Sequence, residues 1–130
     1  MSDPKALPNN SVMLWTGRVI SGLIVLMLLP SAVMKFTQSS QLVEGFAHLG
    51  WPERFAIALG ITELACTILY AIPQTSVLGA ILLTGYMGGT IATHSRIGEW
   101  AFVQIGIGVL VWLGLFLREP RLRALLPLRS

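Results

Sequence analysis

The sequence predicts an all-α integral membrane protein, a four-helix bundle forming one transmembrane domain over residues 1–130, and three observations predict it. The chain is 54% hydrophobic but only 12% charged, against roughly a quarter charged in soluble domains. Its apolar runs reach the length of about 18 residues at which a helix can span a bilayer: no charge occurs from Trp100 to Leu117 or from Leu64 to Thr93. The second run is too long for one span, and Pro73-Gln74-Thr75 divides it, because proline cannot continue a helix and favours a turn. Lipid is the solvent this chain is built for.

The first span is expected from about Met13 to Met34, with Ser11 as its N-cap, Trp15 among the headgroups and Arg18 one turn inside, within snorkelling reach of water. Its core from Val19 to Leu29, followed by Ser31-Ala32-Val33, also fits the apolar region of a cleaved signal peptide; that alternative leaves three spans. From Thr37 to Pro52 the chain is semi-polar, and Leu42, Val43, Phe46 and Leu49 fall on a helical period, which predicts a short interfacial helix over about residues 40–49. Gly50-Trp51-Pro52 turns the chain into a second span from about Phe55 to Ile72. The third runs from about Ser76 to Thr93 and the fourth from about Phe102 to Leu117, where Pro120 and the arginines end it.

Basic residues near span ends set orientation. Lys5, Arg18 and the C-terminal Arg118, Arg121, Arg123 and Arg129 fall on one side, against Lys35, Arg54 and Arg96 on the other. Both termini are therefore expected in the cytoplasm, with the four C-terminal arginines anchored on anionic headgroups. The formal charge of +3 forms no basic stripe interleaved with aromatics, so a nucleic-acid partner is not expected. Cys66 is the only cysteine; it excludes an internal disulfide and a CxxC pair and reads as a small packing residue.

Glu63 is the most informative residue, since an acid this far inside a span costs at least about 2.5 to 3.5 kcal/mol on insertion scales and must face the interior, protonated or paired. It is a candidate catalytic acid or base, or else an interhelical hydrogen-bonding group. Gly60, Thr67 and Tyr70 share its helix face. Counting both ways from Gln74 puts Glu63 level with Gly85 and Tyr86, so Tyr86 is its expected hydrogen-bond donor. Pro30 has no N–H and leaves the Leu26 carbonyl without its helical partner; with Lys35 and Arg54 taken as level, Leu26 and Glu63 lie equally deep. The expectation is a protonated Glu63 donating to Leu26, with Lys35 too far away to pair with it. Gly85, Gly88, Gly89 and Ala92 form a flat strip in which Gly85 and Gly89 have GxxxG spacing; it is expected to pack closely against a neighbouring helix, with oligomerisation or room left for a ligand as the alternatives. Lys35, Glu53, Arg54, His94, Arg96 and Glu99 should gather at the outer rim. His48 and His94 have no supporting ligand pattern for a metal or haem.

The segment GITELACTILYAIPQTSVLGAILLTGYMGGTIATHSRIGE, residues 60–99, resembles the DoxX-like family of small bacterial membrane proteins, most specifically in LGAILLTGYMGGTIATH. The turn His48-Leu49-Gly50-Trp51-Pro52 is similar too. The resemblance implies four transmembrane helices and the bacterial inner membrane, and it marks Glu63, Gly79, Gly85, Tyr86, Gly89, His94 and Arg96 without giving any of them a catalytic role. The wider superfamily includes subunits of oxidoreductases that pass electrons to quinone, so the resemblance carries a quinone and a redox partner as expectations.

Together these readings lead to a membrane subunit or accessory protein that binds a small hydrophobic molecule such as a quinone between helices, at Glu63, Tyr86, Thr90, His94 and Arg96. Two alternatives stand beside it. One is a self-sufficient enzyme using Glu63 on a lipophilic substrate; the other is a scaffold or homo-oligomer assembled through the glycine strip.

Overall fold

A computed structural model describes residues 11–37 and 39–125; Lys5 and Arg129, used above for orientation, lie outside the described residues. The described residues are helices joined by short turns, with no strand among them. The elements are α1 (Ser11–Met34), α2 (Ser40–Leu49), α3 (Ala56–Ala71), α4 (Ser76–Arg96), α5 (Phe102–Arg118) and α6 (Pro120–Arg123), with single 3₁₀ turns at Glu53–Phe55 and Pro73–Thr75. Three helical segments, Ser11–Met34, Glu53–Ala71 and Pro73–Arg96, are long and apolar enough to cross a membrane, and Phe102–Arg118 is a shorter apolar helix. α1 packs on α3 and α5, α3 on α4, and α4 on α5, so the four long helices close into a ring.

Local chemistry explains most boundaries. Ser39 caps α2 by accepting from the Leu42 N–H, and Gly50 ends it in the left-handed region at φ 78°, a conformation that costs glycine nothing. Pro73 opens the hairpin turn, and Ser76 secures it by donating to the Tyr70 and Ile72 carbonyls. Ser11 lies inside α1 rather than capping it, and α4 continues one turn beyond Thr93 to Arg96. Pro120 does stop α5, but it also occupies the first turn of the short α6, which Glu119 caps, where its missing N–H is harmless.

Ile24, Leu28, Tyr70, Leu83, Val111 and Leu115 fill the centre of the ring, while Leu23, Leu26, Ile61, Ile81, Val109 and other large apolar side chains point outward. That is the pattern of a fold solvated by lipid, in which apolar burial drives little and close backbone approach matters more. The close approaches are made at Gly17 and Gly114 between α1 and α5, at Gly60 between α3 and α1, and at Gly79 against the Tyr70 backbone across the hairpin. The strip at Gly85, Gly88 and Gly89 does not pack as expected: a Cβ added at any of the three meets nothing within 4 Å. GxxxG spacing permits close packing, but here the face it marks is turned to open space.

The C-terminal arginines also depart from expectation. Arg118 turns inward, donating to Ser21 and Ser76 at 3.1 and 3.3 Å and lying over the Tyr70 ring. Arg123 is buried and donates to the Phe116 and Leu117 carbonyls, satisfying acceptors that the end of α5 leaves open. Arg121 alone of these three is exposed; Glu119 beside it raises its pKa further above the ordinary guanidinium value.

Candidate functional site

The ring is tight at one end and open at the other. At the tight end Tyr70, fully buried, donates to the Val111 carbonyl at 2.7 Å and lies 2.8 Å from the Ser21 hydroxyl. Towards the other end a cavity of about 520 Å³ opens between α1, α3, α4 and α5, with α2 lying across it. Leu28, Leu42, Phe46, Leu59, Met87 and Ile107 give it mostly apolar walls, and Glu63 borders it with Lys35, Tyr86, Thr90 and His94. The volume falls in the range of about 300 to 1,000 Å³ typical of sites for small organic ligands.

α2 holds its place by two kinds of contact. Leu42 and Phe46 are buried against Ala56 and Leu59, and polar contacts tie the far end to the end of α4. Arg96 donates to the Leu49 carbonyl, Trp51 Nε1 donates to Thr93 at 3.3 Å, and His48 Nε2 lies 3.0 Å from a Glu99 carboxylate oxygen. Arg96, expected in the ligand site, therefore fastens the cover and is not part of the cavity wall. Of the residues expected at the outer rim, Lys35 and His94 border the cavity, whereas Glu53, Arg54, Arg96 and Glu99 do not.

Glu63 is almost completely buried and has two partners on one oxygen. Lys35 Nζ lies 2.7 Å from Oε2, and the Tyr86 hydroxyl donates to the same atom at 3.1 Å. The Tyr86 contact is the one expected from counting along the hairpin. The Lys35 contact overturns two expectations at once, a Glu63 bonded to the Leu26 carbonyl and a Lys35 out of reach. The error lay in the assumed register: Lys35 packs against Gly60, not level with Arg54, which places the end of α1 about 9 Å deeper along α3 than supposed, at 1.5 Å per residue. Helical side chains also lean toward the N-terminus, so that of Lys35 reaches inward, past Ser31, whose carbonyl and hydroxyl it contacts at 3.3 and 3.2 Å. Ser31 and Lys35 are four residues apart on one face of the chain; with the direction of the side chain, that spacing was the signal available in the sequence.

The remaining candidates fall as follows. His94 Nδ1 lies 2.8 Å from the Thr90 carbonyl, and Thr90 donates to the Met87 carbonyl. Gly85 and Gly89 line the cavity, whereas Gly88 does not. Gln104 on α5 and Trp51 after α2 also reach the cavity and were not anticipated.

Comparison with known proteins adds one finding. No curated protein and no solved structure matches the chain. The sequence profile of the DoxX-like family matches residues 19–116, a range that takes in two thirds of α1, all of α3 and α4, nearly all of α5, the α2 cover and every residue named here on the cavity wall. The chain belongs to the DoxX-like family.

Proposed function

We propose that this protein is a four-span inner-membrane subunit or accessory protein, with both ends in the cytoplasm, that holds one small hydrophobic molecule between its helices. The observation that carries the reading is the apolar cavity of about 520 Å³ bordered by a buried Lys35–Glu63–Tyr86 cluster. Apolar walls with a few converging polar groups bind a lipophilic body and orient its polar head. Family membership supports the membrane setting, and a quinone in a redox system is the ligand class that the resemblance suggests.

Native mass spectrometry of protein purified in mild detergent tests the reading, comparing wild type with Gly85→Leu and Gly88→Leu. A Cβ at either glycine meets nothing within 4 Å, but only Gly85 lines the cavity. Wild type and Gly88→Leu should retain the same small molecule and Gly85→Leu should lose it. Equal retention by all three proteins, or none by any, contradicts the proposal.

A further inference from the structure

The polar edge of the cavity is unequal in its hydrogen-bonding capacity. An ammonium has three protons to give and a phenol one. The Lys35 ammonium has three acceptors around it, the Ser31 carbonyl, the Ser31 hydroxyl and Glu63, and the Tyr86 hydroxyl gives its proton to Glu63. The four polar hydrogens nearest the acid are thus engaged within the protein. What remains there are acceptors. Both contacts to Glu63 fall on Oε2, so Oε1 keeps its lone pairs, and so does the Tyr86 oxygen. His94 extends the pattern, because its Nδ1 faces a carbonyl, which only accepts; the proton is on Nδ1, and in the neutral ring Nε2 is an acceptor. Thr90 and Thr93 donate to backbone carbonyls of α4. Hydrogens still free for a ligand belong to the Ser31 hydroxyl and to the amides of Gln41 and Gln104.

We infer that the cavity selects a ligand whose polar head donates a hydrogen bond to Glu63, a lipophilic alcohol or phenol, over one whose head only accepts, such as a ketone, an ether or an oxidised quinone. This rests on the proposed ligand-binding role of the cavity and fixes the chemistry of what it holds. An acceptor-only head placed at Glu63 sets lone pair against lone pair beside a buried carboxylate; to be held it would have to draw the Lys35 or Tyr86 proton from Glu63, or leave Glu63 for Ser31, Gln41 or Gln104. A hydroxyl head leaves both of those contacts in place and adds a third, on Oε1. An apolar tail then runs along Leu28, Leu42, Phe46 and Met87.

The test is a competition between para-nonylphenol and its methyl ether, para-nonylanisole, which share a tail and differ in the hydroxyl proton. The full chain in mild detergent is equilibrated with an equimolar mixture, and native mass spectrometry reads the ratio bound. The phenol should exceed the ether about tenfold in wild type, as one hydrogen bond to a charged group supports, and the ratio should fall towards one in Glu63→Gln, which shares any bias from partition into micelles. If Glu63→Gln does not accumulate, the double variant Lys35→Met/Glu63→Gln, which removes both charges, takes its place. Equal binding of phenol and ether to wild type, or the same excess in the variants, overturns the inference and leaves the cavity a ligand site. Binding of neither probe overturns both.

Discussion

Gly17 of α1 and Gly114 of α5 lie against each other's backbone: a Cβ on Gly17 would stand 2.6 Å from the Gly114 carbonyl oxygen, and one on Gly114 would stand 2.5 Å from Ser21 Oγ and 3.3 Å from the Gly17 oxygen. These positions, and not the GxxxG strip of α4, set the helix spacing. Gly17→Val should therefore destabilise the protein by about 1 to 3 kcal/mol or more, the usual cost of overpacking. Gly88→Ala, with open space around it, should be neutral or slightly stabilising. Thermal unfolding in detergent distinguishes them, and a Gly17→Val protein as stable as wild type contradicts the close contact.

Removing one member of the Lys35–Glu63 pair strands the other. Both are largely buried, at 16% and 2% side-chain exposure, so Lys35→Met should cost about 3 to 5 kcal/mol, as expected for an uncompensated buried charge. Adding Glu63→Met to Lys35→Met should recover much of that loss. A double-mutant cycle on unfolding free energies measures the coupling; additive losses would rule out a direct pair.

At the tight end, Tyr70→Phe keeps the ring and deletes the hydroxyl that joins Ser21 to the Val111 carbonyl. An orphaned buried acceptor costs about 1 to 3 kcal/mol. The variant should unfold at a lower temperature than wild type yet retain any cavity ligand, since Tyr70 does not line the cavity. Loss of the ligand at unchanged stability is the contrary result.

The proposed orientation is tested by reporter fusions. Green fluorescent protein at the C-terminus should fluoresce, and alkaline phosphatase fused after Gly98, between α4 and α5, should be active. The reverse pattern inverts the topology.

Helix positions were legible in the sequence because each apolar run, and the Pro73 turn that divides the longest, is a local signal. The Glu63–Tyr86 contact was also legible, since a tight hairpin turns depth into a matter of counting. The Lys35–Glu63 pair was not: α1 and α3 are separated by α2 and a 3₁₀ turn, so no count along the chain fixes their register. Gly17 and Gly114, 97 positions apart, gave no warning for the same reason. GxxxG misled because spacing marks a smooth face without saying what it meets.

The Tyr70–Ser21–Arg118 knot has a consequence for transport. With Gly79 pressed on the Tyr70 backbone and Arg118 laid over its ring, the described residues close the bundle beneath the cavity, so the interior is a cul-de-sac and not a conduit. A guest of the proposed site would then enter and leave on one face. Loading and release would share that side, and the opposite end would serve as a floor.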